Sequence, residues 1–406
     1  MVILADSIRS VASYLLTASA GEGVRRVEAV TRDQVRRYKE VVLQETLRLA
    51  VDSALGPARV RRKPSTPIPW SCPGCGPRLA TQVMRNGTYG RTPLTNEGPI
   101  HIRVPQLACR ECGRSVPVAL PCLPRWRRVL CDVEHALTQA YLLGHSYRVV
   151  AERTVHGARL GLMTAWRSLQ RVAEGPHRPP PTPALVAVGL DEVHTRVHGR
   201  AAWYLVARGR TADGKGHYLG AILAEDRSQA AWELGLDRLG LQQLPASLPL
   251  ITDGDAALEA ALAQCLPGRP LRRCAWHLLH NVGEWLRERL PGSDQAGQRR
   301  GLMAAAQAVV NAATPQARRA SLALLADAAP WLGSRLSATL DRIAYPDPVL
   351  PRTNNVCERP FREWRRRTRP MDGFGSWSGA RNFGGLWMVK ENCREAGKDW
   401  MEAIMP

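Results

Sequence analysis

Residues 351–370 read PRTNNVCERPFREWRRRTRP. A single carboxylate, Glu358, stands before five arginines, Arg362, Arg365, Arg366, Arg367 and Arg369, with Glu363 the one acid among them. Solvated helices usually interleave the two charge signs, so a block this one-sided draws its countercharge from another molecule. Two more acids sit at apolar runs. Asp191 lies within LVAVGLDEVHTRV (185–197), and Asp253 follows LPLI (248–251) in LPLITDGD. On neighbouring strands of one sheet their side chains reach one face, where they repel each other and lose hydration unless a cation neutralises them. That is the requirement of a Mg2+ site. Taken alone, an Asp before Gly at a strand end is often only a turn residue. Downstream, RRCAWHLLHN puts Cys274 and His277 on the next strand or the helix after it, two donors short of a zinc site.

A second set of donors is more specific. SCPGCG and ACRECG are two Cys-x-x-Cys knuckles, Cys72/Cys75 and Cys109/Cys112, each followed directly by Gly. Thiolates from two tight turns converge on one tetrahedral Zn2+, and a small domain with little core needs such a staple to fold. Cys122 and Cys131 fall outside this spacing and read as buried thiols. The uneven spread of the ten cysteines favours metal and core roles in a reducing cytoplasm over a disulfide framework.

The elements that must carry these residues follow from composition and period. Lys and Arg number 56 against 36 Asp and Glu, a net charge of +20, which repels itself unless a polyanion such as nucleic acid sits on it. An Arg-rich genome is the plainer source of the same excess. With 45% hydrophobic residues in 406, the chain can bury cores for about two to four domains. No apolar run reaches the roughly 18 to 20 residues that span a bilayer. Asp6 and Arg9 interrupt MVILADSIRSVASYLLTASA, which therefore falls short of a signal peptide. A cytoplasmic protein with no membrane partner is expected.

Along the chain, 1–68 reads as a helical arm, with Val42, Leu43, Leu47, Leu49 and Ala50 at helix period, ending in the linker-like RVRRKPSTPIP. Strand-like HIRVPQLA (101–108) between the knuckles makes 69–123 a zinc ribbon. In 124–178, Ser146 can cap one short helix, Gly157 falls in a turn, and Leu160, Met163, Trp166 and Leu169 recur at helical spacing. A helix-turn-helix fits, its second helix offering Arg159, Arg167 and Arg171 to DNA, though any helical hairpin reads alike. EGPHRPPPTPA (174–184) marks a boundary. Strands at 185–197, 201–209 and 217–226, a helix over 228–241 and a strand at 248–255 then follow the order of a ribonuclease H-like fold. The predicted class is α/β multidomain, with a catalytic domain over 179–406 and a helical-period insertion at about 281–350.

Asp191, TDG with Asp253, C-x-x-H with Cys274 and His277, and N-x-x-ER with Glu358, followed by RRR and a later Gly-Phe, together resemble the DDE transposases of bacterial insertion sequences. The likeness is to the branch related to plant Mutator elements, over roughly residues 130–395; a zinc ribbon in front is less general there. The resemblance implies that Asp191, Asp253 and Glu358 hold two Mg2+ ions, roughly 3.5 to 4 Å apart, with Mn2+ as substitute. It places His277 beside the scissile phosphate or a flipped base, where the plain alternative is a packed turn with Cys274 and Trp276. Glu192 and Asp255 have no family counterpart and read as supporting or capping acids. The implied activity is cleavage at element ends and joining of the 3′-OH to target DNA. Partners would be double-stranded DNA and, since two ends must be brought together, a second copy or more of the chain. A non-catalytic DNA-binding regulator and a structure-specific nuclease on the same fold are the rival readings. Pro360 sets one further expectation, because proline is tolerated only in a helix's first turn. A helix bearing Glu358 should start near Cys357 or Glu358, or be kinked.

Overall fold

The computed structural model describes residues 31–55, 67–120, 122–124, 126–347 and 349–404. The opening segment and most of the RVRRKPSTPIP linker lie outside the described residues. The chain divides into two compact units, one built from residues up to Tyr141 with His145–Leu169, the other from Leu142–Gly144 with Gln170 onward.

In the first unit α1 (Arg32–Leu55) precedes β1 (Pro67–Cys72), β2 (Gly76–Leu79) and β3 (Val83–Arg91). A short ladder of β4 (Leu94–Thr95) and β5 (Gly98–Pro99) leads to β6 (Ile102–Cys109) and β7 (Ser115–Pro117). β1 pairs with β2, and β3, β6 and β7 form an antiparallel sheet in that order. α1 buries Leu43 and Leu47 with Ile102, Val104, Leu120 and Leu123, so helix and sheet share one core. Leu49, expected on that face, is exposed, because a residue two positions on points to the opposite side of a helix.

After α2 (Cys131–Leu142) come α3 (Tyr147–Arg153) and α4 (Leu162–Glu174). The Ser146 hydroxyl accepts the Val149 N–H and caps α3, and Gly157 has φ +70° in the following turn. Two expectations are corrected here. Leu160 is buried but sits ahead of α4, its N–H donating to the Ala151 carbonyl at 3.0 Å. Anchored that way, α4 starts in a different phase: Ala165, Ser168, Leu169 and Val172 form its buried face, and Met163 is exposed. Arg159 accordingly lies in the turn and pairs with Glu152 at 3.0 Å, while Arg167 is exposed on α4. The connection, residues 154–161, is longer than the three or four of the common helix-turn-helix.

The second unit is built on β8 (Ala187–Val197), β9 (Arg200–Arg210), β10 (Gly216–Ala224), β11 (Leu250–Thr252) and β12 (Leu271–Arg273), in sheet order β10-β9-β8-β11-β12. The first three strands pair antiparallel and the last two join β8 in parallel. As the central strand, β8 is buried from Ala187 to Leu190 on both faces, which is why it reads as an unbroken apolar run. One face packs on α5 (Gln229–Arg238) and α6 (Ala256–Cys265) through Leu190, Leu205, Trp232, Leu236, Leu250 and Leu258.

From β12 the chain enters α7 (Ala275–Arg289), α8 (Ala296–Asn311), α9 (Pro315–Ala328) and α10 (Pro330–Leu340). This helical segment has its own core of Leu278, Val282, Val309, Leu325, Leu332 and Leu336. α11 (Asn355–Thr368) and α12 (Trp377–Glu395) then pack on the other face of the sheet, where Tyr204 of β9 meets Trp364 edge-on and donates its hydroxyl to the Ala380 carbonyl at 2.8 Å. No described helix is long and apolar enough to cross a membrane.

Candidate active site

The parallel pairing of β11 with β8 sets Leu250 opposite Val188 and Ile251 opposite Gly189. Continued past the end of β11, that register brings Asp253 level with Asp191. Both carboxylates therefore stand at the same end of the sheet, where burial along β8 gives way at Asp191. One oxygen of Asp191 accepts the Glu192 N–H at 2.8 Å and the other the side-chain amide of Asn354 at 3.2 Å. Burial pushes the Asp191 carboxyl well above its ordinary range, and the charges of Glu192, Asp253 and Glu358 push it further.

Glu358 arrives on α11. That helix begins at Asn355, earlier than Pro360 would suggest, and proline sits in its second turn, where its missing N–H leaves the Val356 carbonyl without the usual donor. Oε1 of Glu358 faces Nδ1 of His277 in the first turn of α7 at 3.6 Å, and neither atom has a hydrogen-bond partner. Cys274 is the N-cap of α7, fully buried, its sulfur accepting the Asn354 N–H at 3.2 Å. Cys274, His277 and Glu358 bring one donor atom each within 4.8 Å of one another, a third donor beside the C-x-x-H pair that spacing alone did not suggest.

Ion pairing separates these acids from their neighbours. Glu192 pairs with Arg227 at 2.6 Å, Glu259 with Arg342 at 2.7 Å, Glu363 with Arg366 at 2.7 Å and Glu395 with Arg208 at 3.3 Å. Asp255 accepts the N–H groups of Ala257 and Leu258 and caps α6. Among the described residues no Lys or Arg lies within 4.0 Å of a carboxylate oxygen of Asp191, Asp253 or Glu358. Among the described residues the donor sets drawn within 4.8 Å of one another are the four cysteines and Cys274, His277 and Glu358; Asp191 and Asp253 stand outside them, as carboxylates that could hold a hard divalent cation such as Mg2+.

Asp191, His277 and Glu358 line a groove of about 1530 Å³ together with Arg362, Arg365, Arg366 and Arg369. Arg367 is turned elsewhere: its guanidinium donates to the Leu143 carbonyl, which makes it a brace for the start of the unit. Asn354, fully buried and bonded to Asp191, is the site residue that sequence reasoning missed; nothing in TNN distinguishes it from the exposed Asn355.

The second cluster lies in the first unit. Sγ atoms of Cys72, Cys75, Cys109 and Cys112 all fall within 4.8 Å of one another, with Cys72 and Cys112 3.4 Å apart. Four thiolates at about 2.3 Å from a tetrahedral Zn2+ sit at nearly this spacing. Gly76 and Gly113, directly after the knuckles, have φ +77° and +70°, a left-handed turn that side chains disfavour. Backbone N–H groups, that of Cys112 foremost, lower the Cys109 thiol to about 7 and so favour the thiolate a metal binds. All four could hold a zinc ion. Cys122 is half-buried, and its thiol is raised by burial.

A sheet with unneutralised acids at one end and an arginine-lined groove beside them is chemistry directed at a polyanion. The chain matches the family model described as Transposase, Mutator family, over residues 15–380, and belongs to that family. It is 27% identical to the transposase for insertion sequence element ISRM5 of Rhizobium meliloti (strain 1021), covering 95% of this chain and 93% of that protein. Identity is 28% with the transposase for IS406 of Burkholderia multivorans (strain ATCC 17616 / 249), over 81% of this chain and 86% of that protein.

Proposed function

We propose that this chain is a DDE transposase that cuts the ends of its element and joins the freed 3′-OH to target DNA, on a ribonuclease H-like core. The observation that carries this reading is the ion-pair pattern: among the described residues no Lys or Arg pairs with Asp191, Asp253 or Glu358, whereas Glu192, Glu259, Glu363 and Glu395 each pair with an arginine and Asp255 caps α6. Asp191, Asp253 and Glu358 would hold two Mg2+ ions, or Mn2+ in their place, and the ions would supply activation of the attacking oxygen and stabilisation of the leaving oxygen of a phosphodiester. Arg362, Arg365, Arg366 and Arg369 bind DNA phosphates along the groove, holding the backbone against the acids without reading sequence. His277 faces Glu358 at 3.6 Å and, on closing that gap, would direct the carboxylate at the groove. The four-cysteine cluster, as a zinc ribbon, and α3 with α4, as the helix-turn-helix, bind the element end, and two ends are brought together by two copies of the chain.

The test is to incubate the protein with Mg2+ and DNA carrying its element's ends, and look for cleaved and joined products. Asp191→Asn, Asp253→Asn and Glu358→Gln should each remove both products by several orders of magnitude while DNA binding persists. The three losses should be non-additive, since a site missing one ligand has little left to lose. Asp255→Asn should keep activity, because Asn caps a helix as well as Asp. Cleavage surviving in all three acid variants would sink the proposal.

A further inference from the structure

Asn354 touches two of the three acids. Its side-chain amide uses both N–H groups, one on the Leu190 carbonyl at 2.9 Å and one on the Asp191 carboxylate at 3.2 Å. Its backbone carbonyl accepts the N–H of Cys357 at 2.8 Å and of Glu358 itself at 3.1 Å, opening α11. Its own N–H ends on the buried sulfur of Cys274. One fully buried residue thus fixes an oxygen of the first acid through its side chain and the backbone of the third through its carbonyl, while a thiol holds it in place.

We infer that Asn354 is a positioning residue that sets the spacing of Asp191 and Glu358 and thereby the affinity of the site for divalent cations. The inference rests on the metal-binding reading above. An amide is the group the geometry requires. Its NH2 must face the two oxygens, since the carbonyl end there would oppose two acceptors, and an acid would add a further negative charge beside Asp191. A hydroxyl of Ser is too short to serve both oxygens. Cys274 then has a defined part in the C-x-x-H motif: its sulfur secures Asn354 rather than acting on DNA. Asn355, the asparagine that matches N-x-x-ER, has an exposed side chain and none of these bonds.

The experiment is a Mn2+ titration of the full chain, loaded with zinc beforehand, with free Mn2+ read by electron paramagnetic resonance. Asn354→Ala should weaken Mn2+ binding about 10- to 100-fold, the range for residues that orient metal ligands, with Asn355→Ala as wild type. Asn354→Ser introduces a hydroxyl that suits a helix N-cap and serves if the alanine variant does not fold. Wild-type affinity in the folded Asn354 variant, or a loss confined to Asn355→Ala, overturns the inference and leaves the proposed function standing. Absence of Mn2+ binding in the wild type removes the two-metal reading and this inference with it.

Discussion

Nδ1 of His277 stands 3.6 Å from Oε1 of Glu358, too far for a hydrogen bond, and neither atom has another partner. Two buried polar atoms left facing each other need an explanation in a third body or a small movement that closes the gap. His277→Ala should therefore lower DNA cleavage about 10- to 100-fold, the effect of losing a group that orients a metal ligand, while Glu358→Gln abolishes it. Equal losses in side-by-side cleavage assays would make His277 a direct participant instead.

The Asp191 carboxyl is raised by burial first and then by the charges of Glu192, Asp253 and Glu358. A carboxyl with a higher proton affinity folded than unfolded keeps its proton in the fold as pH rises above about 4, so the unfolded chain binds fewer protons and stability declines from there toward the folded value. In zinc-loaded, Mg2+-free protein, Asp191→Asn should gain thermal stability relative to wild type as pH rises from about 4 to about 8. Mg2+ should narrow the difference by neutralising the wild-type cluster. Parallel melting curves across that range would reject the account.

Zinc binding should equal folding of the knuckle region. Elemental analysis is expected to find one zinc per chain, lost in Cys109→Ser. A strong chelator should unfold the β1–β2 and β3–β6–β7 sheets, since structural zinc contributes about 10 to 16 kcal/mol. Less than half an equivalent, or unchanged stability after the substitution, would count against the site.

The arginine block should split by role. Arg365→Ala with Arg366→Ala should weaken binding to every duplex alike and flatten the dependence of log K on log salt by about 0.9 for each phosphate left unneutralised. Arg367→Ala should leave that slope alone and lower the melting temperature instead, because its guanidinium is committed to the Leu143 carbonyl. Salt titrations of the two variants decide between these roles.

How far the site could be read from sequence depended on whether a residue's function is carried by local pattern. Asp191 and Asp253 could be picked out as candidates because each interrupts or ends an apolar run, and the parallel pairing of those runs sets the two residues level at one end of the sheet. The cysteines were legible because four thiols at knuckle spacing have few other uses. Met163 was misplaced because burial of Leu160 ahead of α4 reset the helix phase, a tertiary event with no local sign. Asn354 and Asn355 are identical letters in one turn, and only packing decides which of them is interior. Arg367 looks like its neighbours for the same reason.

Asn354 lies 163 residues beyond Asp191 in the chain, after the whole α7–α10 bundle. At about 5 to 20 residues per second, a ribosome needs on the order of 8 to 30 s to travel that distance. Through that interval the nascent chain carries Asp191, and from partway along Asp253 as well, without the amide that holds the first or the helix that brings Glu358. By this geometry, a chain released early, or one stalled inside the bundle, lacks both Asn354 and Glu358 and so cannot complete the proposed site.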